Sequence, residues 1–316
     1  MSIGVGLGLA AYPFSGARAF WRWVELCEAG GVDSLWQSDR LVSPQPALEP
    51  MALMAALAGG TERLKFGMNV VVLPLRDPLL VAKQCATIDH LSGGRLLPAF
   101  GVGNARSADW EAAGLSPRFR GARADEALEL LTRLWSESDV SFRGEYYSVR
   151  GLTIAPGPVQ QPLPLWIGGA SEAAIRRTAR VGTGWLGGLQ TVAQTRETVA
   201  AIRRASSEAG RPLDDDHYGA TFAFRFGSRD DAAVEQAAAP LRRLGGDLLD
   251  DYLAVGDAGA ILARLESFVE AGVSKFVLRP LAGDDAGMLE QSRRLVAEVL
   301  PVVASWNERA RTAAAG

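Results

Sequence analysis

The chain has 316 residues, of which 48% are hydrophobic, and 33 Lys and Arg against 36 Asp and Glu give a formal net charge of −3. This length can bury a large core, and the slightly acidic balance argues against a nucleic-acid or anionic-membrane partner. With two His and two Cys, a zinc site and a disulfide scaffold are excluded, so we expect no metal. Without a bilayer-length apolar stretch or a secretory signal, we expect a cytoplasmic protein with reduced thiols.

Short β-like runs alternate with stretches of helical period along the chain. The predicted strands cover residues 3–9, 34–38, 64–73, 95–102, 165–167, 184–187, 218–226 and 273–278. The predicted helices lie near residues 16–29, 47–58, 78–92, 122–135, 170–181, 191–209, 230–244, 256–271 and 284–309. Because successive parallel strands need a crossover, this alternation predicts parallel pairing.

Eight such units match the α/β class and a closed (β/α)8 TIM barrel, here one domain over residues 1–316. An open doubly wound sheet is the alternative. The long insertion between strands four and five, residues 104–163, is expected to act as a lid over the barrel mouth. Its Trp110 and Phe119 either line an apolar substrate pocket or pack the loop on the barrel.

In such a barrel, functional residues lie at the carboxyl ends of the strands. This rule selects Asp39 and Arg40 after strand two, and Gly103 and Asn104 after strand four. After strand five, the run 168–171 (Gly-Gly-Ala-Ser) leads into a helix whose free amides and dipole favour a phosphate. A plain strand-to-helix turn with a serine cap explains this run equally well. Neither histidine is predicted as a general base, because His90 ends a helix and His217 precedes strand seven.

Several segments resemble the luciferase-like monooxygenases in their order and spacing. They are residues 73–84 (LPLRDPLLVAKQ), 87–95 (TIDHLSGGR), 100–103 (FGVG), 142–147 (FRGEYY) and 156–169 (PGPVQQPLPLWIGG). The resemblance covers roughly residues 3–300. It implies a TIM barrel that binds FMN or the deazaflavin coenzyme F420, with the ring at the carboxyl mouth.

The resemblance also implies where the cofactor is held. The ring would rest on a bulge after strand three, often with a non-prolyl cis peptide, which corresponds to Asn69, Val70 and Val71. The phosphate would be held by the loops after strands five and six. The matching positions there are Gly169, Ala170, Ser171, Trp185, Leu186 and Gly187.

The chain departs from the family after strand two, where many members carry a His near the ring. Here the pair is Asp39-Arg40, our candidates for catalytic residues. An arginine does not exchange its proton near neutrality, but it can stabilise negative charge. Asp39 would serve as a base only if burial raised its pKa, which the neighbouring Arg40 would lower. Gly103 stands where bacterial luciferase has a reactive Cys, which argues against light emission from an aldehyde.

Two activities follow from the resemblance. One is F420-dependent hydride transfer to or from a small organic substrate, slightly favoured because residues 38–41 (Ser-Asp-Arg-Leu) resemble Asp-His-type members. The other is FMN-dependent monooxygenation, with reduced flavin supplied by a separate reductase. The missing His also permits a non-catalytic flavin-binding protein of the same fold. A homodimer is expected from the resemblance.

Overall fold

A computed structural model describes residues 2–243 and 248–315. The strands are β1 Gly4–Leu9, β2 Ser34–Gln37, β3 Lys65–Met68, β4 Val71–Val72, β5 Leu96–Leu97, β6 Ala99–Gly101, β7 Val140–Arg143, β8 Ser148–Leu152, β9 Trp166–Gly168, β10 Gly184–Leu186, β11 Tyr218–Phe226, β12 Leu253–Gly256 and β13 Lys275–Pro280. The helices are α1 Ala17–Ala29, α2 Pro50–Gly60, α3 Pro78–Ser92, α4 Asp109–Ala112, α5 Arg120–Ser136, α6 Glu172–Val181, α7 Val192–Glu208, α8 Ala232–Arg242, α9 Leu248–Tyr252, α10 Ala258–Glu270, α11 Asp285–Arg294 and α12 Leu300–Ala315.

Parallel pairing runs around a complete circuit. Barrel strand three consists of β3 and β4, and barrel strand four consists of β5 and β6, with β3 paired to β5 and β4 paired to β6. From β6 the circuit continues through β9, β10, β11, β13, β1 and β2 back to β3. The predicted (β/α)8 barrel is therefore confirmed, since an open sheet would leave two unpaired edges.

The barrel interior is filled by large apolar side chains. Trp36 and Trp166 meet edge to face, with ring centroids 6.4 Å apart, among Leu97, Leu186 and Val277. Gly67 makes room for this cluster, because a Cβ there would lie 2.6 Å from the Trp36 ring. The interior is thus a packed core rather than a pore, and open space is left at its carboxyl end.

Element boundaries differ from the prediction at barrel strand three. The predicted β-rich run over residues 64–73 is interrupted, because the chain leaves the ladder at Asn69 and Val70, where the resemblance implied a bulge, and it ends in a 3-10 turn, Leu73–Leu75. The short strands β7 and β12 were also missed. The last residue of the predicted helix 230–244 lies outside the described residues.

The segment between barrel strands four and five has three parts. Helix α5 buries Leu128, Leu131 and Trp135 and packs beside α3 and α6, so it belongs to the outer ring of helices. The hairpin of β7 and β8 follows, and its turn donates three backbone N–H groups to Glu126 of α5. The part preceding α5, residues 102–119, contains α4.

Two further observations concern the helices and the cysteines. In the part of the chain that the structure describes, no helix combines the length and apolar character that crossing a bilayer requires. Cys27 and Cys85 are both fully buried as free thiols, and burial raises the pKa of each. Both thiols therefore stay protonated and act as small apolar core groups.

Candidate active site

A cavity of about 380 Å³ opens at the carboxyl end of the barrel strands. Its volume falls in the range of about 300–1,000 Å³ that small-molecule sites occupy. Barrel strands two, three, five, six, seven and eight, or the loops that follow them, contribute its walls. The lining residues are Ser38, Asp39, Arg40, Asn69, Val70, Gly168, Gly169, Ala170, Leu186, Gly188, Leu189, Gln190, Thr221, Tyr252 and Arg279.

The break in barrel strand three forms one wall of the cavity. The peptide bond between Asn69 and Val70 is cis. The Asn69 side chain donates from Nδ2 to Thr221 Oγ1 at 3.1 Å, which links strand three to strand seven. Val70 lies against Gly168, where a Cβ would come within 3.0 Å of both Val70 γ carbons. The bulge therefore presents an apolar side chain to a space that glycine keeps open.

Asp39 holds the chain immediately after this bulge. Its side chain is 4% exposed, with Oδ2 accepting from the Val72 N–H at 2.9 Å and Oδ1 paired with Arg76 Nη2 at 2.9 Å. Glu49 is the second partner of Arg76, at 2.7 Å. Burial lowers the pKa of Arg76, but the two carboxylates raise it by more than burial lowers it, so the net shift is upward. Both Asp39 oxygens are thus engaged in binding the protein itself.

Arg40 differs from its neighbour. It is exposed, lines the cavity, and forms no ion pair within the described residues. Its guanidinium therefore lies at the rim without a counter-ion among those residues, where it can attract an anion or stabilise negative charge.

The loops after strands five and six form the opposite wall. Gly169 has φ of +106°, a conformation that favours glycine, and its carbonyl accepts from Trp185 Nε1 at 2.8 Å. Ser171 caps α6 by accepting from the Ala174 N–H at 3.3 Å. Gln190 donates to Thr198, while its Oε1 is enclosed and has no partner in the described residues. An α6 N-terminus next to a glycine loop suits a phosphate.

The structure brings together about half of the predicted site residues. Asp39, Arg40, Asn69, Val70, Gly169, Ala170 and Leu186 all line the cavity. The predicted residues that do not line it are Val71, Gly103, Asn104, Ser171, Trp185 and Gly187.

These residues lie apart from the cavity for identifiable reasons. The side chains of Val71 and Trp185 are fully buried in packed clusters. Gly103 faces Val72 and Trp110, and Asn104 is exposed, with Oδ1 accepting from the Arg106 N–H. The remaining two adjoin lining residues in the chain, Ser171 next to Ala170 and Gly187 next to Leu186 and Gly188. Trp185 nevertheless contacts the site indirectly, through the Gly169 carbonyl.

Three residues of functional interest were missed. Arg279, at the end of barrel strand eight, donates from Nη1 to the Tyr252 hydroxyl at 2.9 Å and from Nη2 to Ser38 Oγ at 3.0 Å. The predicted strand eight stopped at residue 278, whereas β13 continues to Pro280. A charged residue directly after an apolar β-run was the available signal.

Fold and cavity together define a TIM-barrel protein with a small-molecule site at its carboxyl mouth.

The luciferase-like monooxygenase family model matches residues 3–254, and the chain belongs to this family. An F420-dependent glucose-6-phosphate dehydrogenase of Beutenbergia cavernae is 30% identical over 313 residues, covering 87% of this chain and 90% of that protein. An uncharacterized protein of Mycobacterium tuberculosis is 36% identical over 168 residues, covering 53% of this chain and 57% of that protein. The chain thus matches little more than half the length of that relative.

Two solved structures share the fold at low sequence identity. An F420-dependent secondary alcohol dehydrogenase in complex with an F420–acetone adduct has a TM-score of 0.82 at 19% identity, covering 96% of this chain and 99% of that chain. The oxygenating constituent of 3,6-diketocamphane monooxygenase from Pseudomonas putida, in complex with FMN, has a TM-score of 0.78 at 16% identity, covering 95% and 99%. The predicted family is therefore confirmed, and its neighbours are oxidoreductases of both predicted kinds.

Proposed function

We propose that this protein is an F420-dependent oxidoreductase, which moves a hydride between the deazaflavin and a small organic substrate. The observation that carries the proposal is the cavity in which the Asn69–Val70 bulge faces the glycine loops after strands five and six. The choice of F420 over FMN is supported by the relative of Beutenbergia cavernae, which is similar over most of the chain and carries an F420-dependent name.

The residues present fit a flat ring with a phosphate tail. Val70 offers an apolar surface, and the missing side chain at Gly168 leaves the space beside it free. Gln190 lines the cavity as well, and its side-chain amide is held in place by donating to Thr198 Oγ1. Gly169 and Ala170, directly before α6, would hold the phosphate.

Coenzyme F420, when bound, would supply or accept a hydride, which is two electrons and one proton. The chain would bind the ring on Val70 and fix that wall through Asp39, which we propose as a positioning residue rather than a base. The charges of Arg40 and Arg279 would stabilise negative charge in the cavity. The Tyr252 and Ser38 hydroxyls, both lining the cavity, would donate hydrogen bonds to a bound substrate.

Three further expectations belong to this proposal. The loop of residues 102–119 would cover the mouth, since Asp109 accepts from the Val42 N–H at 2.9 Å and so ties it to the loop after strand two. Trp110, which is 3% exposed and donates to the Asn104 carbonyl, would pack this loop rather than line the pocket. A homodimer and a cytoplasmic location stay predictions, to be tested by sedimentation and by cell fractionation.

A titration of the purified chain with F420 and with FMN tests the proposal. We expect F420 to bind more tightly, with a shifted absorbance band, and the Gly168→Val variant to lose this binding because the new side chain meets Val70. Arg204→Met, which changes an exposed arginine on α7, is the matched control. Tight binding of FMN with none of F420 would overturn the proposal, and would favour the monooxygenase activity with a separate reductase.

A further inference from the structure

The guanidinium of Arg279 has an unusual set of partners. It lines the cavity and donates to two hydroxyls, those of Tyr252 and Ser38. Neither hydroxyl carries charge, and within the described residues no carboxylate lies within ion-pair distance of this arginine. Its Nε atom is enclosed and also lacks a partner there. A guanidinium without a carboxylate partner at a cavity wall attracts a ligand anion.

The carboxylates next in sequence to these two hydroxyls are paired with other groups. Asp39, next to Ser38, is paired with Arg76 at 2.9 Å. Asp251, next to Tyr252, is paired with Arg264 at 2.5 Å, and its second oxygen accepts from the Val192 N–H at 2.7 Å. Both carboxylates therefore pair with other arginines, and neither neutralises the charge of Arg279 at the cavity.

The hydrogen bonds from Arg279 also fix how the two hydroxyls are used. Because each accepts a hydrogen bond from Arg279, its own proton remains available to donate. Tyr252 is 6% exposed and Ser38 is 9% exposed, and both line the cavity. This wall thus offers one guanidinium and two hydroxyl donors, a set that suits an oxyanion.

We propose that Arg279, Tyr252 and Ser38 form a subsite for an oxyanion carried by the organic substrate, such as a carboxylate, sulfonate or phosphate. The inference rests on the proposed function, which supplies the cofactor site beside it. Arg279 ends barrel strand eight and Ser38 follows strand two, which flank strand one in the circuit. The loops that would hold the cofactor phosphate follow strands five and six, between strands four and seven. The two anion sites therefore lie on different walls of one cavity.

Calorimetry with inorganic phosphate as the probe tests the subsite on the full chain. We expect wild type to bind phosphate and Arg279→Met to bind it at least about ten-fold more weakly, the size of one lost charge-assisted hydrogen bond. Tyr252→Phe and Ser38→Ala keep the charge and are expected to weaken binding by about three-fold or more. Arg204→Met, away from the cavity, is the control for net charge and should match wild type. Equal affinity in wild type and all three subsite variants overturns the proposal.

A second arm separates the substrate subsite from the cofactor site. Saturating F420 should leave phosphate affinity unchanged or raise it. The Arg279→Met substitution should change the affinity for F420 and the affinity for the deazaflavin nucleoside without its phosphate tail by the same factor. If F420 displaces phosphate, or if Arg279→Met weakens only the tailed cofactor, the subsite belongs to the cofactor and our assignment fails. If F420 does not bind at all, the proposed function fails, while the phosphate titration still decides whether Arg279 binds an oxyanion.

Discussion

Replacing Asp39 separates a positioning role from a catalytic one. The carboxylate is almost fully enclosed, accepts the Val72 N–H and pairs with Arg76. Asp39→Asn keeps an oxygen that can accept from Val72 but removes the charge that faces Arg76. Because Arg76 retains Glu49 at 2.7 Å, the loss is smaller than for an orphaned buried cation. We expect about 2 kcal/mol of stability to be lost, below the ~3–5 kcal/mol of a broken, fully buried pair.

The melting temperature reports this loss. Unfolding entropy of about 2.1 cal/mol/K per residue gives about 0.7 kcal/mol/K for 316 residues. A loss of about 2 kcal/mol therefore lowers the melting temperature by about 3 °C. The affinity for F420 should fall in parallel, because the strand that follows the bulge is less firmly held, while the pH profile of turnover keeps its shape.

Glu49→Gln is the matched control for Asp39→Asn. Glu49 binds the same arginine but is 42% exposed, so its replacement should cost less than about 1 kcal/mol. The double variant with Arg76→Met completes a cycle that isolates the Asp39–Arg76 coupling energy. The reasoning is refuted if Asp39→Asn melts like wild type and binds F420 normally, yet loses turnover together with the acidic limb of the pH profile. Asp39 would then be the base.

Three further changes test other parts of the site. Trp185→Phe removes the hydrogen bond to the Gly169 carbonyl and should cost about 1 kcal/mol, with weaker F420 binding in a fluorescence titration. Gly168→Ala places a Cβ against Val70 and should lower the free energy of unfolding by about 1–3 kcal/mol. Denaturant unfolding measures this loss, and an unchanged midpoint would contradict it. Burial raises the pKa of Glu126, but hydrogen bonds from three backbone N–H groups lower it by more, so the folded pKa lies below the unfolded one. Its hairpin contacts should therefore be stable above the unfolded pKa and lost as pH falls through the lower folded value, which hydrogen exchange in wild type and Glu126→Gln can follow.

The barrel was predictable because parallel strands buried on both faces read as apolar runs between amphipathic helices. The run 218–226 was predicted with both ends correct, and its strand is buried almost throughout. Barrel strand three was harder, since Asn69 and Val70 leave the ladder inside an apolar run. Apolar periodicity reports burial, which continues across that break, and it does not report the hydrogen bonding that the break interrupts.

The site residues were predictable where the backbone makes the site, and less so where side chains from distant strands make it. Gly169 and Ala170 sit on a local strand-to-helix turn that the sequence displays directly. The wall of Arg279 and Ser38 joins residues 241 positions apart, and only closure of the barrel brings them together. The positions of the two histidines also follow from the fold. His90 lies in the last turn of α3 and His217 precedes β11, so neither lines the cavity, whose charged residues are Asp39, Arg40 and Arg279. Binding and orientation at this mouth should therefore vary little with pH between 6 and 8, a range in which a histidine would switch them.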